Sequence, residues 1–104
     1  MDRSSVLIVD DDTRILESLA RALSGPERLV LTAPGAEEAL GTLAQEPADV
    51  VLLDLKMPGI DGLEVLRRAK KAYPGVQIIM LTGHGSEKDE KEARRLGVFE
   101  YLQK

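Results

Sequence analysis

Five short apolar runs, each of strand length, alternate along this chain with segments whose apolar residues recur at helical spacing. The runs are Val6 to Val9, Leu29 to Leu31, Val50 to Leu53, Gln77 to Leu81 and a weaker one at Phe99 to Leu102. Continuous Val, Ile and Leu, without polar alternation, marks strands buried on both faces. Between them, Ile15, Leu16, Leu19, Ala22 and Leu23 share one face of a first helix that Gly25-Pro26 stops. A second helix carries Ala36, Ala39, Leu40, Leu43 and Ala44 and ends before Pro47, and a third carries Leu63, Leu66, Ala69 and Tyr73 before Pro74-Gly75. The fourth, Ser86 to Leu96, opens on a Ser-x-x-Asp cap (Ser86, Asp89) but offers only Ala93 and Leu96 as apolar anchors, so it is expected to dock weakly. Strict alternation of buried strands with helices predicts an α/β fold, a doubly wound parallel sheet with helices on both faces.

A chain of 104 residues holds one such domain and has no room for a second. With 18 acidic against 14 basic side chains the net charge is -4, which disfavours direct binding to nucleic acid or to an anionic membrane. The absence of cysteine removes disulfides, thiolate metal sites and cysteine nucleophiles. No apolar run approaches membrane-spanning length and the N-terminus lacks the pattern of a signal peptide, so the expected location is cytoplasmic.

In doubly wound sheets ligands sit beyond the carboxyl ends of the strands. Asp10, Asp11 and Asp12 follow the first run, Asp54 ends the third, Thr82 follows the fourth and Lys104 follows the fifth. Crowded carboxylates repel, and a hard divalent cation relieves them; for a small site of carboxylates and water that cation is magnesium. A carboxylate beside it is able to attack phosphorus if other groups neutralise the oxygens of the transferring phosphoryl. Lys104 supplies positive charge, while Thr82 and the backbone N–H of Gly83 supply donors. Taken singly, each residue has a plainer explanation: Asp11 and Asp12 as helix caps, Asp54 as a solvated strand end, Thr82 as a loop hydroxyl, Lys104 as a lysine in water. Solvation does not explain their arrival together at one edge.

Four segments, V-L-I-V-D-D-D, V-V-L-L-D-L-K-M-P-G-I-D-G-L, I-I-M-L-T-G-H-G-S and F-E-Y-L-Q-K, give a chain that resembles the response-regulator receiver family over its whole length. The resemblance implies a flavodoxin-like strand order, 2-1-3-4-5. It implies a phosphoacceptor at Asp54, metal-binding acids at Asp10 and Asp11, and a further metal ligand in the backbone carbonyl of Lys56, with Asp12 outside the set. Thr82 falls on the phosphoryl-binding threonine, Lys104 on the family's lysine and Tyr101 on its aromatic rotamer switch. The implied donor is a histidine kinase or phosphotransfer protein, the cofactor is Mg2+, and the acyl phosphate draws Thr82 inward so that Tyr101 turns toward the space vacated. Such a protein accepts a phosphoryl group on itself and is not a turnover enzyme.

Two rivals belong to other classes. A haloacid-dehalogenase-type phosphohydrolase uses a D-x-D pattern, which Asp10 and Asp12 satisfy, but it leaves Asp54 without a role. A pseudo-receiver would bind without phosphorylation, against which the intact acidic set, Thr82 and Lys104 argue. His84 reads as an exposed loop histidine; the Lys56 side chain meets either the phosphoryl or solvent; Met57-Pro58-Gly59 is a turn and Asp61-Gly62 begins the third helix. The fourth helix, E-K-D-E-K-E-A-R-R-L, is more polar than the family's. Residues 1–104 correspond to a receiver domain without its C-terminal helix, so self-association through the face formed by the first helix and fifth strand, or by exchange of elements, is expected.

Overall fold

The computed structural model describes residues 4–57, 59–83 and 85–103; Pro58, His84 and Lys104 therefore lie outside the described residues. Strands and helices alternate strictly: β1 (Ser4–Val9), α1 (Thr13–Leu23), β2 (Arg28–Ala33), α2 (Ala36–Gln45), β3 (Val50–Leu53), α3 (Gly62–Ala72), β4 (Gln77–Thr82), α4 (Glu87–Arg95) and β5 (Glu100–Gln103). The five strands lie in the order β2-β1-β3-β4-β5, all parallel. This is the doubly wound sheet and the strand order expected from the sequence.

The sheet's two faces are unequal. Leu7, Val9, Val51, Leu53, Ile78 and Met80 point to one side, where Ala39 and Leu43 of α2, Val65, Leu66 and Ala69 of α3 and Ala93 of α4 close over them. Val6 and Ile8 point to the other and meet Leu16 of α1. Each fully buried Leu, Ile or Val contributes about 1.5–3 kcal/mol of gross burial energy, so the first face dominates the fold. On the second face Ile79 and Leu81 are half-buried and Leu102 is 47% exposed. No helix follows β5 among the described residues.

Several element limits differ from the apolar runs. β1 and β2 extend to Ser4 and to Ala33 because Ser4 and Val9 pair in register with Arg28 and Ala33, and backbone pairing does not require apolar side chains. β4 includes Thr82, which pairs with Gln103, and β5 begins at Glu100, leaving Phe99 63% exposed. Ala22 and Ala44, assigned by spacing to the buried faces of α1 and α2, are exposed. Helix α4 starts with the expected capping box between Ser86 and Asp89, and Ala93 is its one buried residue.

Candidate functional site

The consecutive aspartates after β1 divide their work. Asp12 is the N-cap of α1: its carboxylate accepts the Arg14 N–H at 2.9 Å. The same carboxylate meets the Arg14 guanidinium, whose hydrogen bond holds the Asp12 carboxyl below its ordinary value. Asp10 lies inside the β1–α1 turn, 4% exposed, and accepts the Asp12 N–H at 2.9 Å. Asp11 stands exposed between them. The capping role that the sequence left open for both Asp11 and Asp12 thus belongs to Asp12.

Asp54 reaches the same edge through strand register. Val9 pairs with Leu53, so the residue after each, Asp10 and Asp54, emerges side by side. The Asp54 N–H donates to the Val9 carbonyl at 3.0 Å and the Asp10 N–H to Ala33 at 3.2 Å, which ties both to the sheet's end. Asp54 is 6% exposed. Its backbone is held from behind by Gly62, whose N–H donates to the Leu55 carbonyl at 2.8 Å. A Cβ at Gly62 would overlap the Asp54 carbonyl oxygen and lie 2.8 Å from the Leu55 Cα. The sequence marks Gly62 only as the start of a helix, next to the N-cap Asp61, which accepts the Glu64 N–H. A glycine at a first helical position without a turn to make is the sign that something packs there.

Ligand oxygens of Asp10, Asp11 and Asp54 lie within 4.8 Å of one another. A small octahedral cation with oxygens at about 2.0–2.1 Å places neighbouring ligands roughly 3 Å apart and opposite ones roughly 4 Å apart. Drawing in from that spacing would bring all three onto one ion, and the exposed Asp11 opens the site to solvent. The donor set fits a hard divalent cation. Lys56, two residues beyond Asp54, has an exposed side chain, and its charge is one of the smaller influences lowering the Asp89 carboxyl, after the Ser86 backbone hydrogen bond.

Thr82 ends β4 fully buried, followed by an exposed Gly83. Tyr101 of β5 is 6% exposed and belongs to the larger core cluster. Its hydroxyl is buried with no hydrogen-bond partner among the described residues. Burial, and then the charges of Asp89 and Glu90, push its pKa above the ordinary tyrosine value. An orphan hydroxyl costs about 1–3 kcal/mol, a penalty that an outward tyrosine in water would shed. Asp10, Asp11, Asp54, Thr82 and Gly83 thus share the carboxyl edge, with Tyr101 packed inside. Lys104, assigned from the sequence, falls outside the described residues, as does His84.

A doubly wound sheet in this order, with a carboxylate cluster and a buried threonine at its carboxyl edge, is the architecture of phospho-signalling receivers. A family model of the response regulator receiver domain matches residues 6–104, and the chain belongs to that family. It is 38% identical over 104 residues to the DNA-binding transcriptional regulator NtrC of Salmonella typhimurium, covering 100% of this chain and 22% of that protein. The chain thus spans under a quarter of that relative's length. Among solved structures, a response regulator receiver domain protein of Methanospirillum hungatei JF-1 superposes with a TM-score of 0.96 at 35% identity, over 99% of this chain and 82% of that one. A Burkholderia pseudomallei response regulator, solved with a phosphorylated aspartic acid, a calcium ion and citrate, superposes with a TM-score of 0.91 at 28% identity, over 97% and 59%.

Proposed function

We propose that residues 1–104 act as one phospho-accepting receiver unit in which Asp54 takes a phosphoryl group from a histidine kinase or phosphotransfer protein. A carboxylate oxygen of Asp54 attacks phosphorus, the bond to the donor nitrogen breaks, and an acyl phosphate remains on the protein. The observation that carries this reading is the convergence of Asp10, Asp11 and Asp54 within 4.8 Å, next to the buried end of β4. Asp10, Asp11, Asp54 and the backbone carbonyl of Lys56 would hold Mg2+, which when bound neutralises charge on the transferring group. Thr82, the Gly83 N–H and Lys104 bind the phosphoryl oxygens, and Thr82 couples their arrival to Tyr101. The domain modifies itself and does not turn over external substrates.

Family membership favours this over a dehalogenase-type hydrolase, and so does Asp12, the second acid of the D-x-D pattern, which is engaged as a helix cap. The net charge of -4 supports a domain that does not itself touch nucleic acid. No helix of the described residues is long and apolar enough to cross a membrane. A cytoplasmic setting goes with the proposal because phosphoryl donors charged from ATP are met there. Self-association would use the α1–β5 face, where Leu81 is half-buried and Leu102 exposed. The test is mass spectrometry after incubation with acetyl phosphate and Mg2+: one added phosphoryl mass is expected, lost in Asp54→Asn. Modification persisting in that variant would move the acceptor elsewhere.

A further inference from the structure

β2 and β5 are the edge strands of the sheet, and the two edges differ. Exposed edges are ordinarily blunted by short length, charge, proline or a bulge. β5 follows that practice, being four residues long and carrying Glu100. β2 does not: it runs six residues, its only charge is Arg28 at the start, and it pairs with β1 in unbroken register. Leu29, Val30 and Leu31 in its middle are all half-buried. The Glu27 and Ala33 carbonyls accept from the Ser4 and Asp10 N–H groups at 3.0 and 3.2 Å, so odd-numbered residues of β2 turn their backbone toward β1 and even-numbered ones turn it outward. The Arg28 N–H is folded back onto the Gly25 carbonyl at 3.2 Å. Val30 and Thr32 are left presenting both a donor and an acceptor beyond the sheet.

We propose that β2 is a self-association edge: it pairs antiparallel with β2 of a second copy across a two-fold axis at Val30, joining the two sheets into one. The occupant follows from the self-complementarity of the strand. The axis sets Val30 against its own copy, exchanging both backbone bonds, and sets the Thr32 N–H against the partner's Arg28 carbonyl. On the other face of the sheet Leu29 meets the partner's Leu31, so each apolar residue of the edge gains an apolar neighbour. No like charges face each other in this register. Shifting the pairing by two residues either way sets Arg28 against the partner's Pro34 or Thr32 against the partner's Pro26, neither of which has an N–H to give. The contact lies at the opposite edge of the sheet from β5 and needs no phosphorylation, so it stands apart from both the α1–β5 face and the receiver chemistry. Because the paired strands run in opposite senses, the two Asp54 edges lie at opposite ends of the dimer and stay open.

Amide exchange followed by NMR on residues 1–104, with sedimentation over a concentration series, tests the pairing. Where about nine-tenths of the chains are paired, the Val30 and Thr32 amides should exchange about tenfold more slowly than in dilute protein, because only the unpaired chains are open there. The Leu29 and Leu31 amides, turned toward β1, should not change. Val30→Lys brings two ammonium groups together at the axis, and Thr32→Pro removes an outward N–H without removing a bond to β1; both should sediment as monomers. Leu102→Lys, at the other edge, should pair like the wild type. A wild type that is strictly monomeric at high concentration, or a dimer in which Val30 and Thr32 exchange as they do in dilute protein, overturns the proposal. A dimer broken by Leu102→Lys and kept in Val30→Lys also overturns it, and assigns the contact to the α1–β5 face. Should Val30→Lys or Thr32→Pro lose its fold by circular dichroism, the wild-type exchange comparison decides alone.

Discussion

Substituting Gly62 by alanine sets local preference against packing, and the structure says which wins. Alanine is the better helix former by about 1 kcal/mol in a helix interior and by less at a first position. Against that, the new methyl overlaps the Asp54 carbonyl oxygen and lies 2.8 Å from the Leu55 Cα, both backbone atoms that cannot swing aside. Overpacking of that kind costs about 1–3 kcal/mol, so the net loss is about 1–2 kcal/mol. For a domain of this size the midpoint should fall by roughly 5–15 °C. Gly41 supplies the control: it is exposed within α2 and has open space around an added Cβ, so Gly41→Ala should gain about 0.5–1 kcal/mol. Thermal unfolding followed by far-ultraviolet circular dichroism compares the two directly, and phosphorylation by acetyl phosphate should be slowed only in Gly62→Ala. A Gly62→Ala protein as stable as Gly41→Ala would refute the argument that close approach to Asp54 requires glycine.

Asp11→Ala should weaken Mg2+ binding with little change in stability, whereas Asp12→Ala should lose about 0.5–2 kcal/mol of cap stability and keep its metal affinity; titration and thermal melts of both separate the roles. The carboxyl of Glu64 is held down to about 2, first by its hydrogen bond to Arg67 and then by Arg68. Its folded pKa lies below its ordinary 4.5, so its contribution is present above that value and fades as pH falls toward 2. Glu64→Gln should therefore flatten the loss of stability across that acid range in pH-dependent melts. Lys104→Ala should still be phosphorylated but lose the accompanying change in tyrosine signals; an unchanged response would remove Lys104 from the switch.

Where sequence foretold structure, burial on two faces was the reason. Val6 to Val9 and Val50 to Leu53 read as strands because both sides of each are covered, while the polar ends, Ser4, Thr32 and Gln103, are recruited by backbone pairing that leaves no trace in side-chain type. The site was legible as a set because parallel register delivers successive strand ends to one edge. Which aspartate caps α1 was not legible, since a cap and a metal ligand ask for the same carboxylate, and only the Arg14 N–H bonded to Asp12 separates them. Gly62 and Gly85 escaped because what they make room for, the Asp54 backbone and the Tyr101 ring, is remote in sequence. Ala22 and Ala44 were misassigned because alanine is apolar enough to join a buried face and small enough to leave it at little cost.

Helix α4 joins the rest through Ala93, with Leu96 half-buried just beyond its end. Arg94 bridges Glu90 and Glu100 in the open, an ion pair between α4 and β5 that contributes little and is screened by salt. A helix so lightly moored samples detachment at a free energy well below that of global unfolding. Its amides should therefore exchange with deuterium ahead of those of α2 and α3, and faster at high ionic strength, which makes α4 a separate cooperative unit whose opening is governed as much by the medium as by the core.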